Sequence, residues 1–134
     1  MADTFRFELV SPERRLVSAR VGEAIIPGQE GDFTALPNHA PFIAQLRPGI
    51  LRLPSLDGRE ARYYLRGGFA EVTPDETVVL AEYALPMEDL TADRLRDEIA
   101  VAEQAYADAI DDEARWRATD IVERLKSLQA QIAG

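Results

Sequence analysis

Hydrophobic and polar positions alternate along the N-terminal two thirds of the chain. Phe5, Phe7 and Leu9 are separated by Arg6 and Glu8, and a period of two is typical of a strand with one face in a core. Further apolar runs follow at short intervals and end at proline, glycine or aspartate. These runs cover residues 16–21, 24–26, 42–46, 50–53, 61–65, 69–72 and 77–81. We therefore predict about ten short antiparallel strands in a β-sandwich or a barrel, because turns recur about every 8 to 12 residues.

Turn-forming residues set the predicted order of these strands. Asp57-Gly58 lies between two apolar runs and predicts a tight two-residue hairpin. Gly67-Gly68 follows the next run and predicts a break between two separate strands. Since no segment of helical length separates the runs, the pattern argues against a parallel sheet with helical crossovers.

The period changes after the last proline. Leu95, Ile99, Ala102, Tyr106 and Ala109 recur at steps of three and four, which predicts one apolar face of a helix. A second stripe of the same period follows and comprises Ala118, Ile121, Val122, Leu125, Leu128 and Ile132. The C-terminal third is therefore predicted to be helical.

Polar residues mark where each predicted helix begins. Thr91 is placed to cap the first helix, because a threonine hydroxyl accepts a hydrogen bond from a first-turn N–H. The segment Asp111-Asp112-Glu113 interrupts the apolar stripe and supplies a cap and favourable negative charge for the second helix. Two helices joined by so short a link are predicted to fold back as an antiparallel hairpin.

Helix-breaking residues indicate where the chain divides. All eight prolines lie at or before Pro86, and seven of the eight glycines lie at or before Gly68. We predict a β-sandwich domain over residues 1–87 and a two-helix arm over residues 88–134. The first part carries 9 basic and 12 acidic groups, net −3, and the second carries 6 and 12, net −6.

Composition excludes several classes of function. The net charge of −9 disfavours binding to nucleic acid, whose phosphates are repelled by an acidic surface. The chain has no cysteine and a single histidine, His39, so thiolate chemistry and a multi-histidine metal site are excluded. A lone histidine in a proline-flanked loop more often packs or bonds a backbone group than acts as a base. We therefore predict no catalytic site, no metal and no cofactor.

Neither a signal peptide nor a membrane-spanning segment is expected in this chain. The N-terminus has no basic stretch followed by an apolar one, and no run approaches the roughly 18 apolar residues that cross a bilayer. Any function of this chain at a membrane would therefore depend on a partner protein.

Three sequence blocks resemble a known family. Residues 27–41 read Pro-Gly-Gln-Glu-Gly-Asp-Phe-Thr-Ala-Leu-Pro-Asn-His-Ala-Pro, residues 46–51 read Leu-Arg-Pro-Gly-Ile-Leu, and residues 67–72 read Gly-Gly-Phe-Ala-Glu-Val. In this order, and with this helical tail, the chain resembles the F1 epsilon subunit of ATP synthase, the counterpart of the mitochondrial delta subunit. The resemblance covers essentially the whole chain.

The resemblance implies a fold and a role. The family has a ten-stranded β-sandwich followed by a helical hairpin, and it serves in the central stalk of the rotor without an active site of its own. The sandwich binds the gamma subunit and rests on the polar loops of the membrane c-ring, with contacts implied here at Glu30, Asp32 and His39. The implied location is peripheral, on the cytoplasmic face of the bacterial inner membrane.

The resemblance also implies a regulatory arm. In this family the helical hairpin often inhibits ATP hydrolysis by placing basic residues against a beta subunit of the alpha3beta3 hexamer. The candidates here are Arg115, Arg117, Arg124 and Lys126, whose alternative interpretation is a solvated helix face. In the family's ATP-binding motif at the first helix, Arg94 matches, but Thr91 replaces the acidic residue and Leu95 replaces the alanine. ATP binding is therefore not expected.

Two other function classes stay open at the level of sequence. One is a stand-alone β-sandwich that binds a ligand or peptide and oligomerises through its helical tail. The other is a small jelly-roll enzyme, which the missing histidines disfavour. Co-purification separates them, because the preferred interpretation requires a stable complex with a gamma-like coiled-coil subunit.

Overall fold

The computed structural model describes residues 3–133, apart from the side chain of Ala133. Eight strands, one short 3-10 helix and two α-helices lie in this part of the chain. The strands are β1 (Phe5–Val10), β2 (Arg15–Val21), β3 (Ala24–Gly28), β4 (Gly31–Ala35), β5 (Phe42–Gln45), β6 (Gly49–Leu56), β7 (Arg59–Val72) and β8 (Glu76–Pro86). The 3-10 helix is Met87–Asp89, and the α-helices are α1 (Ala92–Asp108) and α2 (Asp112–Ala133). The chain forms two compact units, Met1–Met87 and Glu88–Gly134.

The first unit is one sheet folded over a core. Its strands are hydrogen-bonded in the order β2-β1-β8-β7-β6-β3-β4, and β5 pairs with the C-terminal part of β7. β2 and β6 contact each other although they are not neighbours in this order, so the sheet closes on itself. The core between its two faces includes Phe5, Phe7, Leu9, Ile26, Leu51, Leu53, Leu65 and Val79. The predicted β-sandwich followed by two helices is confirmed.

The predicted tight hairpin is also confirmed. Asp57 and Gly58 connect β6 to β7 with φ angles of 53° and 84°. Positive φ at both central residues is the turn geometry that matches the right-handed twist of the two strands.

The predicted strands are wrong in two regions. The structure describes eight strands in residues 3–133 instead of about ten. β4 forms at Gly31–Ala35, where no apolar run predicted a strand, and β7 continues through Gly67 and Gly68 instead of breaking there. Both glycines have positive φ, 71° and 100°, and between them β7 changes partner from β6 to β5. A Cβ on Gly68 would lie 1.9 Å from the carbonyl oxygen of Leu80, so glycine permits this close approach within a continuous strand.

The strand directions differ from the prediction at one ladder. β1 and β8 run parallel, with Arg6 opposite Glu76 and Val10 opposite Leu80. They are the first and last strands of the unit, and a parallel pair requires a long connection, which the six intervening strands provide. All the other strand ladders in the described residues are antiparallel.

The second unit is a helical hairpin whose predicted caps are confirmed. The Thr91 hydroxyl accepts a hydrogen bond from the Arg94 N–H at 3.2 Å. Asp111 Oδ1 accepts one from the Ala114 N–H at 2.7 Å. These bonds satisfy first-turn donors of α1 and α2, which the helices themselves leave unpaired.

The apolar stripes of the two helices are buried only in part as predicted. The buried apolar members are Leu95, Ile99 and Ala102 on α1 and Ala118, Leu125 and Leu128 on α2, and the two helices contact each other. The predicted continuation of the first stripe is wrong, because Tyr106 is 48% exposed and Ala109 lies past the end of α1. Neither α-helix, within the described residues, is long and apolar enough to cross a membrane.

Candidate functional site

Glycines shape the turn between β3 and β4. Gly28 and Gly31 are opposite each other, so Gln29 and Glu30 form a two-residue loop. Gly31 has φ of 133°, and a Cβ on Gly28 would lie 2.8 Å from the Gly31 carbonyl oxygen. Only glycine fits both positions without strain, and the turn leaves Glu30 exposed at its tip.

Asp32 is held from one side. Its Oδ1 accepts a hydrogen bond from Arg47 Nη2 at 3.1 Å. The Arg47 side chain is only 10% exposed, whereas that of Asp32 is 52% exposed. The carboxylate is therefore anchored to the sandwich and still open to a partner.

His39 packs in the way expected of a loop histidine. Its Nδ1 lies 2.8 Å from the Ala40 carbonyl oxygen; because a carbonyl only accepts, Nδ1 carries the proton and donates. The imidazole ring lies 5.0 Å from the Phe42 ring, which meets Phe33 of β4 edge-on at 5.1 Å. Two ring contacts thus connect His39 to the strand that carries Asp32.

A cleft of about 520 Å³ separates the turn from β5. One wall consists of residues 28–33, and the other consists of residues 42–45. Phe33, Phe42 and Ile43 give the cleft apolar walls, while Glu30 and Asp32 add carboxylates. The cleft therefore offers both packing and charge to a docked side chain.

A second surface continues from Ile43 across the outer face of the sheet. Ile43 of β5, Phe69 of β7 and Leu80 of β8 are exposed by 68%, 41% and 40%. Phe69 is directly opposite Leu80, which is directly opposite the half-buried Val10 of β1. We call these four residues the outer apolar strip. Large apolar side chains clustered on one exposed face are typical of an interaction surface.

The four candidate cations of the arm all have acidic partners in the hairpin. Arg115 Nη2 lies 3.0 Å from Asp112 Oδ1, and Arg124 Nε lies 3.0 Å from Asp120 Oδ2. The other two pairs are Arg117 with Glu113 and Lys126 Nζ with Glu103 Oε2 at 3.7 Å. Their side chains are between 43% and 56% exposed. Arg94 is exposed in the first turn of α1.

No cluster in the described residues has the composition of a metal site: three or more histidine, cysteine or carboxylate side chains do not converge anywhere between residues 3 and 133. The exposed turn, its cleft and the outer apolar strip are surfaces suited to contact with another protein.

Sequence reasoning missed Arg47 and the outer apolar strip. The strip had a detectable signal, because Phe69 and Leu80 are apolar at positions that alternation assigns to the solvent face. Arg47 had none, because its partner Asp32 lies fifteen residues away and no spacing rule connects them.

Comparison with known proteins gives consistent results. The family model for the ATP synthase, Delta/Epsilon chain, beta-sandwich domain matches residues 4–87. A protein named ATP synthase epsilon chain from Maricaulis maris is 42% identical over 133 residues, which cover 99% of both chains. Its namesake from Parvibaculum lavamentivorans is 45% identical over 129 residues, covering 96% of this chain and 98% of the relative.

Two solved structures share the fold. A chain of the Euglena gracilis mitochondrial ATP synthase, from a structure of OSCP, F1 and the c-ring, matches with a TM-score of 0.70 and 23% identity. The match covers 96% of this chain and 81% of that one. A chain from the central stalk and c-ring of the Tetrahymena thermophila mitochondrial ATP synthase has a TM-score of 0.59 and 14% identity, covering 95% and 97%.

Proposed function

The chain belongs to the ATP synthase delta/epsilon family, and we propose that it is a non-catalytic central-stalk subunit that joins gamma to the membrane c-ring. The family model spans the whole sandwich, and full-length relatives at 42% and 45% identity extend the match through the arm. This membership confirms the resemblance drawn from the sequence. It also argues against a stand-alone binding module or a jelly-roll enzyme.

The observation that carries the proposal is the fixed, exposed turn between β3 and β4. Glu30 and Asp32 stand open to solvent on a turn that backbone hydrogen bonds to residues 45 and 47 tie to the rest of the sandwich. A rigid element loses little conformational entropy on binding, so its contacts contribute more fully to affinity. We assign this turn, with His39 behind it, to contact with the polar loops of the c-ring.

The outer apolar strip suits the gamma subunit. It extends from β5 to β1 across four strands, or about 14 Å at the usual spacing between strands. An α-helix with its side chains is about 10–12 Å wide, so one helix of a coiled coil fits on this face. Because the strip meets the cleft at Ile43, both partners dock on adjoining surfaces.

The arm is assigned to the beta subunit. Its four cations are paired on exposed helix surface, where an ion pair contributes only about 0.2–1 kcal/mol. Each cation can readily exchange its carboxylate partner in the hairpin for an acidic group on another protein. Pairing within the hairpin is therefore compatible with inhibition of ATP hydrolysis.

The proposed location follows from the proposed partners. The chain is held at the cytoplasmic face of the bacterial inner membrane as a peripheral subunit, through the c-ring and not through lipid. The full-length relatives named epsilon chain come from Maricaulis maris and Parvibaculum lavamentivorans.

Replacing two contact residues tests the c-ring assignment. Asp32→Ala combined with His39→Ala is expected to leave the fold intact and to lower ATP-driven proton pumping relative to ATP hydrolysis, measured in membranes carrying the reconstituted complex. The control is Glu60→Ala, which removes an exposed carboxylate far along the chain from the turn and should not change pumping. Unchanged pumping in the double variant would reject the assignment.

A further inference from the structure

Arg47 contacts both strands that lead into the β3–β4 turn. Its backbone N–H donates to the Pro27 carbonyl oxygen at 3.0 Å, and its guanidinium donates to Asp32 Oδ1 at 3.1 Å. Pro27 and Asp32 are directly opposite each other in the β3–β4 ladder. One residue therefore ties together the two strands just below the exposed tip.

The neighbours of Arg47 reinforce this arrangement. The Gln29 N–H donates to the Gln45 carbonyl oxygen at 2.8 Å, and Gly28 forms a β-bridge with Leu46. The segment 45–47 thus lies along the β3 side of the turn. The β4 side is reached by the Arg47 side chain through Asp32.

The Arg47 side chain is much more buried than that of Asp32, so the arginine is the fixed member of the pair. An arginine side chain that is 10% exposed has lost most of its hydration, and its guanidinium is stabilised by fixed acceptors. Its planar group of donors orients an acceptor more strictly than the point charge of lysine would. Asp32, which is 52% exposed, would be free to change rotamer without this anchor.

We infer that Arg47 is a positioning residue: acting through Asp32, it holds the acidic turn in the geometry that the partner binds. This inference rests on the proposed function of the turn. The alternative is that Arg47 only stabilises the sandwich, in which case its effect does not depend on Asp32.

A double-mutant cycle in the reconstituted complex distinguishes the two roles. The full-length variants are Arg47→Met, Asp32→Asn, the combination of both, and Arg47→Lys, with the exposed Arg62→Met as the matched control. The measurement is the ratio of ATP-driven proton pumping to ATP hydrolysis.

Because an ion pair open to solvent on one side is worth little, each single change should lower the ratio by about two- to fivefold. The combination should lower it no further, Arg47→Lys should recover part of the loss, and Arg62→Met should match the unaltered chain.

Two results overturn the inference: a ratio unchanged by Arg47→Met, or losses that multiply in the combined variant. If Arg47→Met does not assemble, Asp32→Asn decides by amide hydrogen exchange of the full-length chain. Faster exchange at Gln29 supports the inference, and unchanged exchange contradicts it.

A separate pair of substitutions distinguishes failure of the proposed function from failure of the inference about Arg47. Glu30→Ala with His39→Ala leaves Arg47 and Asp32 untouched. If this pair lowers pumping while Arg47→Met does not, the turn is a contact site and the inference about Arg47 is wrong. If neither lowers pumping, the contact assignment fails together with the inference.

Discussion

At the residue scale, individual glycines determine where the sandwich can bend. Gly68 has φ of 100°, and an added Cβ would lie 1.9 Å from the Leu80 carbonyl oxygen. Gly58 has a similar φ of 84°, yet a Cβ there would meet nothing within 4 Å. The two positions separate the effect of backbone conformation from that of a steric clash.

We predict that Gly68→Ala lowers the free energy of unfolding by about 2 to 4 kcal/mol, because β7 and β8 must move apart. Gly58→Ala is the matched control and should cost only about 1 to 2 kcal/mol for the left-handed conformation. Urea titration followed by far-ultraviolet circular dichroism measures both changes. Equal losses in the two variants would show that the clash is relieved without cost.

For single residues of the candidate site, the sequence predicted some features and missed others. The backbone contact of His39 followed from its proline-flanked position, whereas Glu30 and Asp32 were implied only by the family resemblance. Arg47 was out of reach, because its contacts with Pro27 and Asp32 depend on β3, β4 and the segment before β6 meeting in space. Local sequence patterns carry no information about such tertiary contacts.

At the element scale, the helices were more predictable than the strands. Thr91 and Asp111 cap α1 and α2 as their spacing predicted, since capping depends on only a few neighbouring residues. β7 was divided wrongly at Gly67-Gly68, because a glycine pair signals either a turn or a bend within a strand. Only the hydrogen bonds to β8, which continue through Gly68, distinguish these outcomes.

Truncation tests whether the two-helix arm inhibits ATP hydrolysis. Removing residues 88–134 is expected to raise ATP hydrolysis by the reconstituted complex, because the arm's cations can no longer reach an acidic partner. The measurement is the steady-state rate of ATP hydrolysis beside a control with all four cations replaced, Arg115→Ala, Arg117→Ala, Arg124→Ala and Lys126→Ala. Equal activation by both variants would assign inhibition to these charges. Hydrolysis that does not rise on truncation would reject inhibition by the arm.

At the scale of the whole molecule, the sandwich presents two adjoining surfaces of different character. One is the acidic turn with its cleft, and the other is the outer apolar strip. An apolar surface binds through area removed from water, whereas an exposed acidic turn contributes orientation and specificity. This division suits the role proposed above, in which gamma holds the subunit and the acidic turn contacts the c-ring.

We therefore predict that Phe69→Asp prevents co-purification with the gamma subunit, because a carboxylate at the centre of the strip would be desolvated without a partner. Val101→Asp, an equivalent change on the exposed face of α1, is the control and should leave binding intact. Gamma retained by Phe69→Asp would contradict the docking surface. If the unaltered chain purifies alone or as a homo-oligomer, a stand-alone module is favoured instead.

The parallel pairing of β1 with β8 also has a consequence for biosynthesis. Arg6 is opposite Glu76, so β1 lacks this partner until seventy more residues have been translated. At about 5 to 20 residues per second, that interval is roughly 4 to 14 seconds. During it, β1 can pair only with β2, and its second edge stays open to the kind of strand addition that leads to aggregation. The nascent sandwich is therefore most vulnerable just before its last strand emerges.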